Sequence, residues 1–221
     1  MLEHLRTALN DKAYTINRVA TSVKYPASFI LMASMNPCKC GNFGLYKCPN
    51  KDCFEFSPES LKVCKKCKKK MVRMCHCINR EIDLYRKKLS KPLLERIDIK
   101  ILITKSKTDG WDYATSSVKK KIEKARKIQQ NRYKGSPYSC NGDIPRKAEL
   151  FKYDKTNHET IMNKIKEKGE KNGWSWRVQD KLLLVSRTIA DIEENATILN
   201  KHLELAEDIM GLNNEYFHMF E

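Results

Sequence analysis

Hydrophobic and polar positions divide this chain into two stretches of different character. Residues 2–9 place apolar and charged side chains at helical spacing and read as the end of an amphipathic helix. Residues 13–25, "AYTINRVATSVKY", alternate as a short hairpin does, and "SFILMAS" follows as a continuous apolar run. Such a run is typical of a strand buried on both faces of a parallel sheet. A cysteine-rich segment occupies 38–77, a basic helix roughly 78–89, and "SKPLLERIDIKILI" comes next. There Ile97, Ile99, Ile101 and Ile103 alternate with Asp98, Lys100 and Leu102, the period of a second strand. After "TKSKTDG" the pattern turns helical. Residues 114–133 carry Val118, Ile122, Ala125 and Ile128 on one stripe. Residues 157–170 carry Ile161, Met162 and Ile165 and stop near Gly173. Ser175 is placed to cap a helix through Ile192 whose stripe is Leu182, Leu183, Val185, Ile189 and Ile192. A last helix spans 200–210. The pattern predicts an α/β piece over 1–109 and a helical bundle over 110–221, with no repeat of solenoid length.

Composition adds a partner class. The chain has 221 residues and a formal charge of +16, from 43 Lys+Arg against 27 Asp+Glu. That surplus favours a polyanion such as nucleic acid or nucleotide. Drift of surface positions to lysine explains it equally well, because lysine dominates the basic residues. The first residues, "MLEHLRTALND", are charged throughout and are not expected to act as a signal peptide. The longest apolar run, Phe29 to Met35, is far too short to span a bilayer. The expectation is a cytoplasmic protein with no membrane partner. In that reducing compartment nine cysteines argue for metal rather than disulfides.

Eight of the nine fall in four close pairs: Cys38 and Cys40, Cys48 and Cys53, Cys64 and Cys67, Cys75 and Cys77. A tetrahedral zinc ion takes four soft ligands, and a short-spaced pair supplies two from one turn of backbone. Four pairs therefore predict two zinc sites of four thiolates each. Spacing alone leaves the pairing open between a nested and a sequential arrangement. His76 lies between two ligands and is expected to point away, and Cys140 is a lone thiol. Each four-thiolate zinc centre carries about −2, which lowers +16 to about +12. Lys65, Lys66, Lys68, Lys69 and Lys70 either offset those thiolates or grip nucleic acid, and the two readings weigh the same.

The run "FILMASMNPCKCG" followed by "CHCINREIDLYRKKLSKPLLERIDI" resembles the magnesium-chelatase-like AAA+ ATPases of ComM (YifB) type. That family's pattern is an apolar strand ending in an Asn-Pro-Cys-x-Cys-Gly turn, a second Cys-x-Cys, then a "PLLDRID" segment. "LEHLRTALNDKAYTINR", "YPASF", "NGDIPRKAEL" and "SWRVQDKLLLVSRTIADIE" extend the resemblance over almost the whole chain, though only over the C-terminal part of the family's length. It implies a partial AAA+ core with a zinc-binding insert, followed by a helical lid. It also implies nesting, with Cys38, Cys40, Cys75 and Cys77 as the family's site and Cys48, Cys53, Cys64 and Cys67 as an inserted ribbon. Asn36 matches the sensor-1 position, Arg96 the arginine finger and Arg177 sensor 2, with Arg187 as rival for the last role. Taken singly these residues are ordinary: an Asn after a strand is usually a turn former, and an Arg beside Glu95 and Asp98 usually a salt-bridge partner.

The phosphate-binding pattern G-x-x-x-x-G-K-[ST] occurs nowhere in the sequence, nor does an apolar strand ending in the paired acids of a Walker-B motif. In the family both lie upstream of the segment matched here. The expectation is a C-terminal fragment with strands 29–35 and 97–103 unpaired at their edges, inactive towards ATP by itself. The intact family protein would use ATP and magnesium, form a hexameric ring and act on DNA in branch migration during transformation. An N-terminal half supplied in trans is a further expected partner. One alternative is a stand-alone zinc-ribbon protein that binds nucleic acid without catalysis. The other is a magnesium-chelatase ATPase subunit proper, against which the Cys-x-Cys pairs speak.

Overall fold

The computed structural model describes residues 4–19, 21–50, 56–58, 63–64, 66–101, 103, 115–154 and 158–213. It is a mixed structure of helices and two small sheets, in two compact units that part between Arg96 and Ile97.

The first unit opens with α1 (His4–Asp11) and a hairpin of β1 (Ala13–Arg18) and β2 (Thr21–Pro26), paired antiparallel with Tyr14 opposite Tyr25 and Ile16 opposite Val23. Lys12 takes a positive φ of 49° at the corner, and its carbonyl accepts from the N–H of Ala27 (2.8 Å). β3 (Leu45–Lys47), β4 (Phe56–Pro58) and β5 (Val72–Arg73) form the second sheet in the order β4-β3-β5, all antiparallel. α2 (Asn79–Arg86) and the short α3 (Lys91–Leu94) complete the unit. The Glu81 carboxylate accepts the N–H of Ile78 (3.2 Å) and closes the first turn of α2.

The expected strand over 29–35 is not formed. Residues 27–36 have no regular structure, and Ile30 and Met32 are about nine-tenths exposed. The expected strand over 97–103 is likewise absent among its described residues, with Ile103 at 89% exposure. Apolar character does not make a strand unless a neighbouring edge satisfies its backbone groups. Among the described residues no strand pairs with either run.

The second unit holds α4 (Thr115–Arg132), α5 (Lys147–Tyr153), α6 (His158–Asn172), α7 (Trp176–Ile192) and α8 (Asn200–Ile209). Its core is apolar and built around α7: Leu182, Leu183 and Ile189 pack with Leu150, Ile161, Ile165, Ile198 and Leu203. Ser175 caps α7 as expected, its hydroxyl accepting from Val178 N (3.4 Å). Two stripe predictions differ. Val118 and Ile122 of α4 are exposed, whereas Ala125 of the same stripe is buried beside Gln129 and Ile128 is half-buried, and Ile192 at the end of α7 is also exposed. The segment from Ile97 packs with this unit, where Lys100 N donates to Ile209 O (2.8 Å) and Asp98 pairs with Lys181. Residues 104–114, where the change of pattern was expected, lie outside the described residues. No helix among the described residues is long and apolar enough to cross a membrane.

Candidate metal centre and the predicted nucleotide residues

Asn36 and Pro37 lead into a tight turn in which Gly41 N donates to Cys38 O (3.0 Å). Gly41 has φ +78°, and a Cβ there would come within 3.8 Å of Asn36 Cγ, so the left-handed backbone is what calls for glycine. The turn presents Cys38 and Cys40 to Cys75 and Cys77, which immediately precede α2. The four sulfurs all lie within 4.8 Å of one another. Cys38 Sγ is 3.4 Å from Cys40 Sγ and 3.7 Å from Cys75 Sγ, and Cys40 and Cys75 are 3.6 Å apart. Four sulfurs at about 2.3 Å from a tetrahedral zinc stand about 3.8 Å from each other, so the donor set fits that ion. Cys38 and Cys75 are buried against Ile82 and Phe43, and the Arg86 guanidinium lies 4.4 Å over the Phe43 ring.

The thiols by themselves divide sharply in acidity. Cys40 is drawn down to about 6, chiefly by the N–H of Asn42. Cys75 is pushed up by burial first, helped by its neighbours Cys40 and Cys38. Cys77 is pushed up to about 12: the N–H of Cys40 favours its thiolate but is outweighed by burial and by the thiols of Cys40 and Cys38. Four like charges cannot gather here uncompensated, and a divalent cation is what would let them.

Cys48, Cys64 and Cys67 form a second group within 4.8 Å. Cys48 follows β3, the middle strand of the second sheet. Cys64 and Cys67 sit on a knuckle: Cys67 N donates to Cys64 Sγ (3.4 Å), Lys68 N to Cys64 O (2.9 Å), and Cys64 N to Lys69 O (2.9 Å). Asn50 Nδ2 approaches Cys67 Sγ at 3.6 Å. Cys53, the expected fourth ligand, lies outside the described residues. The structure thus brings the two outer pairs together and sets Cys48 beside Cys64 and Cys67, as a nested arrangement requires of these seven residues. His76 is exposed and belongs to neither group, and Cys140 stands apart with its thiol 3.5 Å from Asp143 Oδ2.

The predicted nucleotide-contacting residues are dispersed. Asn36 is exposed in the unpaired segment rather than at a strand end. Arg96 follows α3, donates to Pro92 O (2.6 Å), and lines a hollow of about 380 Å³ with Arg6, Thr7, Asn10 and Asp11. Arg177, half-buried in the first turn of α7, holds its guanidinium 5.3 Å from the Trp176 ring. Arg187, the rival for sensor 2, is wholly buried. It donates to Asp191 Oδ1 (3.1 Å), Asp154 Oδ2 (3.4 Å) and Ala196 O (2.8 Å), and also to Asn195 O. Its guanidinium is committed to the interior and has no face for a phosphate, so of the two it is Arg177 that keeps an accessible position.

Around Arg187 lies a network that sequence patterns did not single out. Arg132 pairs with both oxygens of Asp191 and donates to Asn141 Oδ1 (3.0 Å), and Tyr133 Oη donates to the same oxygen (2.6 Å). Asn141 Nδ2 returns a bond to Asp191 Oδ2 (2.9 Å). The signal was present: Arg187 and Asp191 fall four apart on the same stripe as Leu183, charges on a face that should be apolar.

The magnesium chelatase subunit ChlI family profile matches residues 1–60 and 59–110, and the ChlI C-terminal profile matches 112–209. Competence protein ComM of Haemophilus influenzae is 28% identical over 211 residues, covering 92% of this chain and 35% of that protein. The uncharacterized protein YifB of Escherichia coli is 26% identical over 228 residues, covering 99% of this chain and 38% of that protein. The chain therefore spans little more than a third of the length of these relatives.

Proposed function

The chain belongs to the magnesium-chelatase-like family of ComM/YifB type, and from that membership we propose that it is the sensor, finger and lid portion of an AAA+ ATPase motor acting on DNA. The observation that carries this reading is the family match along both halves, 1–110 and 112–209. In it, Asn36 orients the attacking water or touches the γ-phosphate. Arg96 reaches a neighbouring subunit's nucleotide in a hexameric ring and stabilises charge on the transferred phosphoryl. Arg177 contacts phosphate from the helical unit. Bound ATP with magnesium supplies the phosphoryl group and its charge neutralisation. Zinc held by Cys38, Cys40, Cys75 and Cys77 would tie the 36–41 turn to the start of α2, fixing the backbone two residues from Asn36. Branch migration during transformation is the DNA process proposed, by analogy with ComM-type relatives.

ATP turnover tests the reading. The chain alone, whose sequence has no phosphate-binding loop, is expected to hydrolyse none. Addition of the loop-bearing N-terminal portion of a relative should restore turnover, and Arg96→Ala should then lower it about a thousandfold or more. Turnover by the chain alone, or an Arg96→Ala variant as active as its parent, would reject it. A second reading, a zinc-ribbon protein that binds nucleic acid without catalysis, is favoured by the exposed, unpaired setting of Asn36. It predicts DNA binding that ignores both ATP and the added portion.

A further inference from the structure

The helical unit pairs part of its lysines. In the helical unit Lys124 pairs with Glu194, Lys152 with Glu149, Lys168 with Glu207, Lys181 with Asp98 and Lys201 with Glu193. At the knuckle Lys66, Lys68, Lys69 and Lys70 are all exposed, and no ammonium among them has an ion pair or hydrogen bond with another described residue.

The backbone adds a second observation. Lys68 has φ +55°, a conformation that glycine adopts more readily. It is held there by the knuckle, because its N–H bonds Cys64 O while Cys67 N bonds Cys64 Sγ. A glycine would make this turn with less strain, so turn geometry does not account for a lysine. The bridge between Val63 and Lys70 closes the loop and gathers the four cations on one short rim. Metal charge does not consume them either. Residues 38–77 contain ten Lys+Arg against three Asp+Glu. Two four-thiolate zinc centres would remove about four of those surplus charges and leave the segment positive.

We propose that the knuckle at Cys64–Lys70 is a contact surface for the phosphate backbone of nucleic acid. The inference rests on the DNA-acting reading above and gives it a place on the molecule. Ammonium groups are point charges without the planar fork that reads base edges, so the contact positions a strand without selecting its sequence.

The test is a fluorescence-anisotropy titration of the full, zinc-loaded chain with a labelled 30-base-pair duplex at several KCl concentrations. Replacement of Lys66, Lys68, Lys69 and Lys70 by Gln should weaken binding roughly tenfold or more, equally for unrelated sequences. The slope of log affinity against log salt should fall by roughly one for each phosphate that a lysine no longer neutralises. The same four positions changed to Arg should keep both affinity and slope. Lys68→Gly, which relieves the backbone, should retain zinc and fold and still lower the slope by about one. Zinc loss from the Gln variant would show that the lysines offset thiolate charge, and would overturn the proposal. So would an unchanged slope with zinc retained, which leaves the motor reading standing. A parent chain that does not bind the duplex defeats the DNA-acting reading itself.

Discussion

Arg187 and Asp191 show what single residues decide in the helical unit. Both side chains are fully buried, and they are joined by Asp154, Arg132 and the carbonyls of residues 195 and 196. The last two reach Arg187 because Glu194 turns the chain back at φ +58°, with Asn195 N donating to Ala190 O (2.8 Å). Removing one partner of such a network strands a buried charge. Arg187→Met or Asp191→Asn should each cost about 3–5 kcal/mol in urea unfolding of the helical unit. Changing both should cost clearly less than the sum. Tyr133 provides a test by pH. Its hydroxyl is pushed up to about 12, chiefly by burial, against about 10 in an unfolded chain. The raised value means that its contribution is whole below about pH 10 and is lost as pH rises through about 12. Tyr133→Phe should remove that share of the alkaline decline. It should cost about 1 kcal/mol at neutral pH, since Asn141 Oδ1 keeps its bond from Arg132. Stability curves of parent and variant compared between pH 7 and 12 check both statements.

Elements were legible where the sequence carried its own local instruction. The hairpin, α2, α6, α7 with its Ser175 cap, and α8 follow from alternation, helical stripes and a capping hydroxyl. So did the cysteine groups, because short-spaced pairs supply two thiolates from one turn of backbone, as a four-thiolate site needs. The four-residue separation of Arg187 and Asp191 was visible too, but only packing reveals that the pair points inward. The cysteine groups have little apolar mass around them: the cores around Cys38 and Cys48 are a few residues each, whereas the core around α7 contains no cysteine. Two zinc ions per chain are expected by elemental analysis. Cys38→Ser with Cys75→Ser should leave one, and so should Cys64→Ser with Cys67→Ser. Chelation should abolish the order of both knuckles, because binding energy is folding energy at such sites. Circular dichroism should show α4 to α8 surviving it. Loss of the helical signal on chelation would place the metals in a different role.

At the scale of the whole molecule, the segments whose sequence reads most plainly as strand are the ones the fold leaves bare. Residues 29–35 and 97–103 are apolar enough for a sheet interior, but a strand is a property of a pair of edges, and periodicity describes only one. The chain spans 35–38% of the length of the relatives named above, and among its own described residues no strand edge pairs with either run. Exposed Phe29, Ile30, Met32 and Met35 then make a contiguous apolar stretch open to water, and such stretches drive association. Light scattering of the purified chain should therefore show self-association that grows with concentration. Ile30→Lys with Met32→Lys should suppress it, because two charges in a row of paired strands are strongly disfavoured. Both positions are exposed and neither packs in the cysteine cores, so zinc content and helical signal should stay as in the parent. If the double variant associates as before, the 29–35 run is not the adhesive surface, and the exposed face of the β1–β2 hairpin, with Tyr14, Ile16, Val23 and Tyr25, becomes the next to alter.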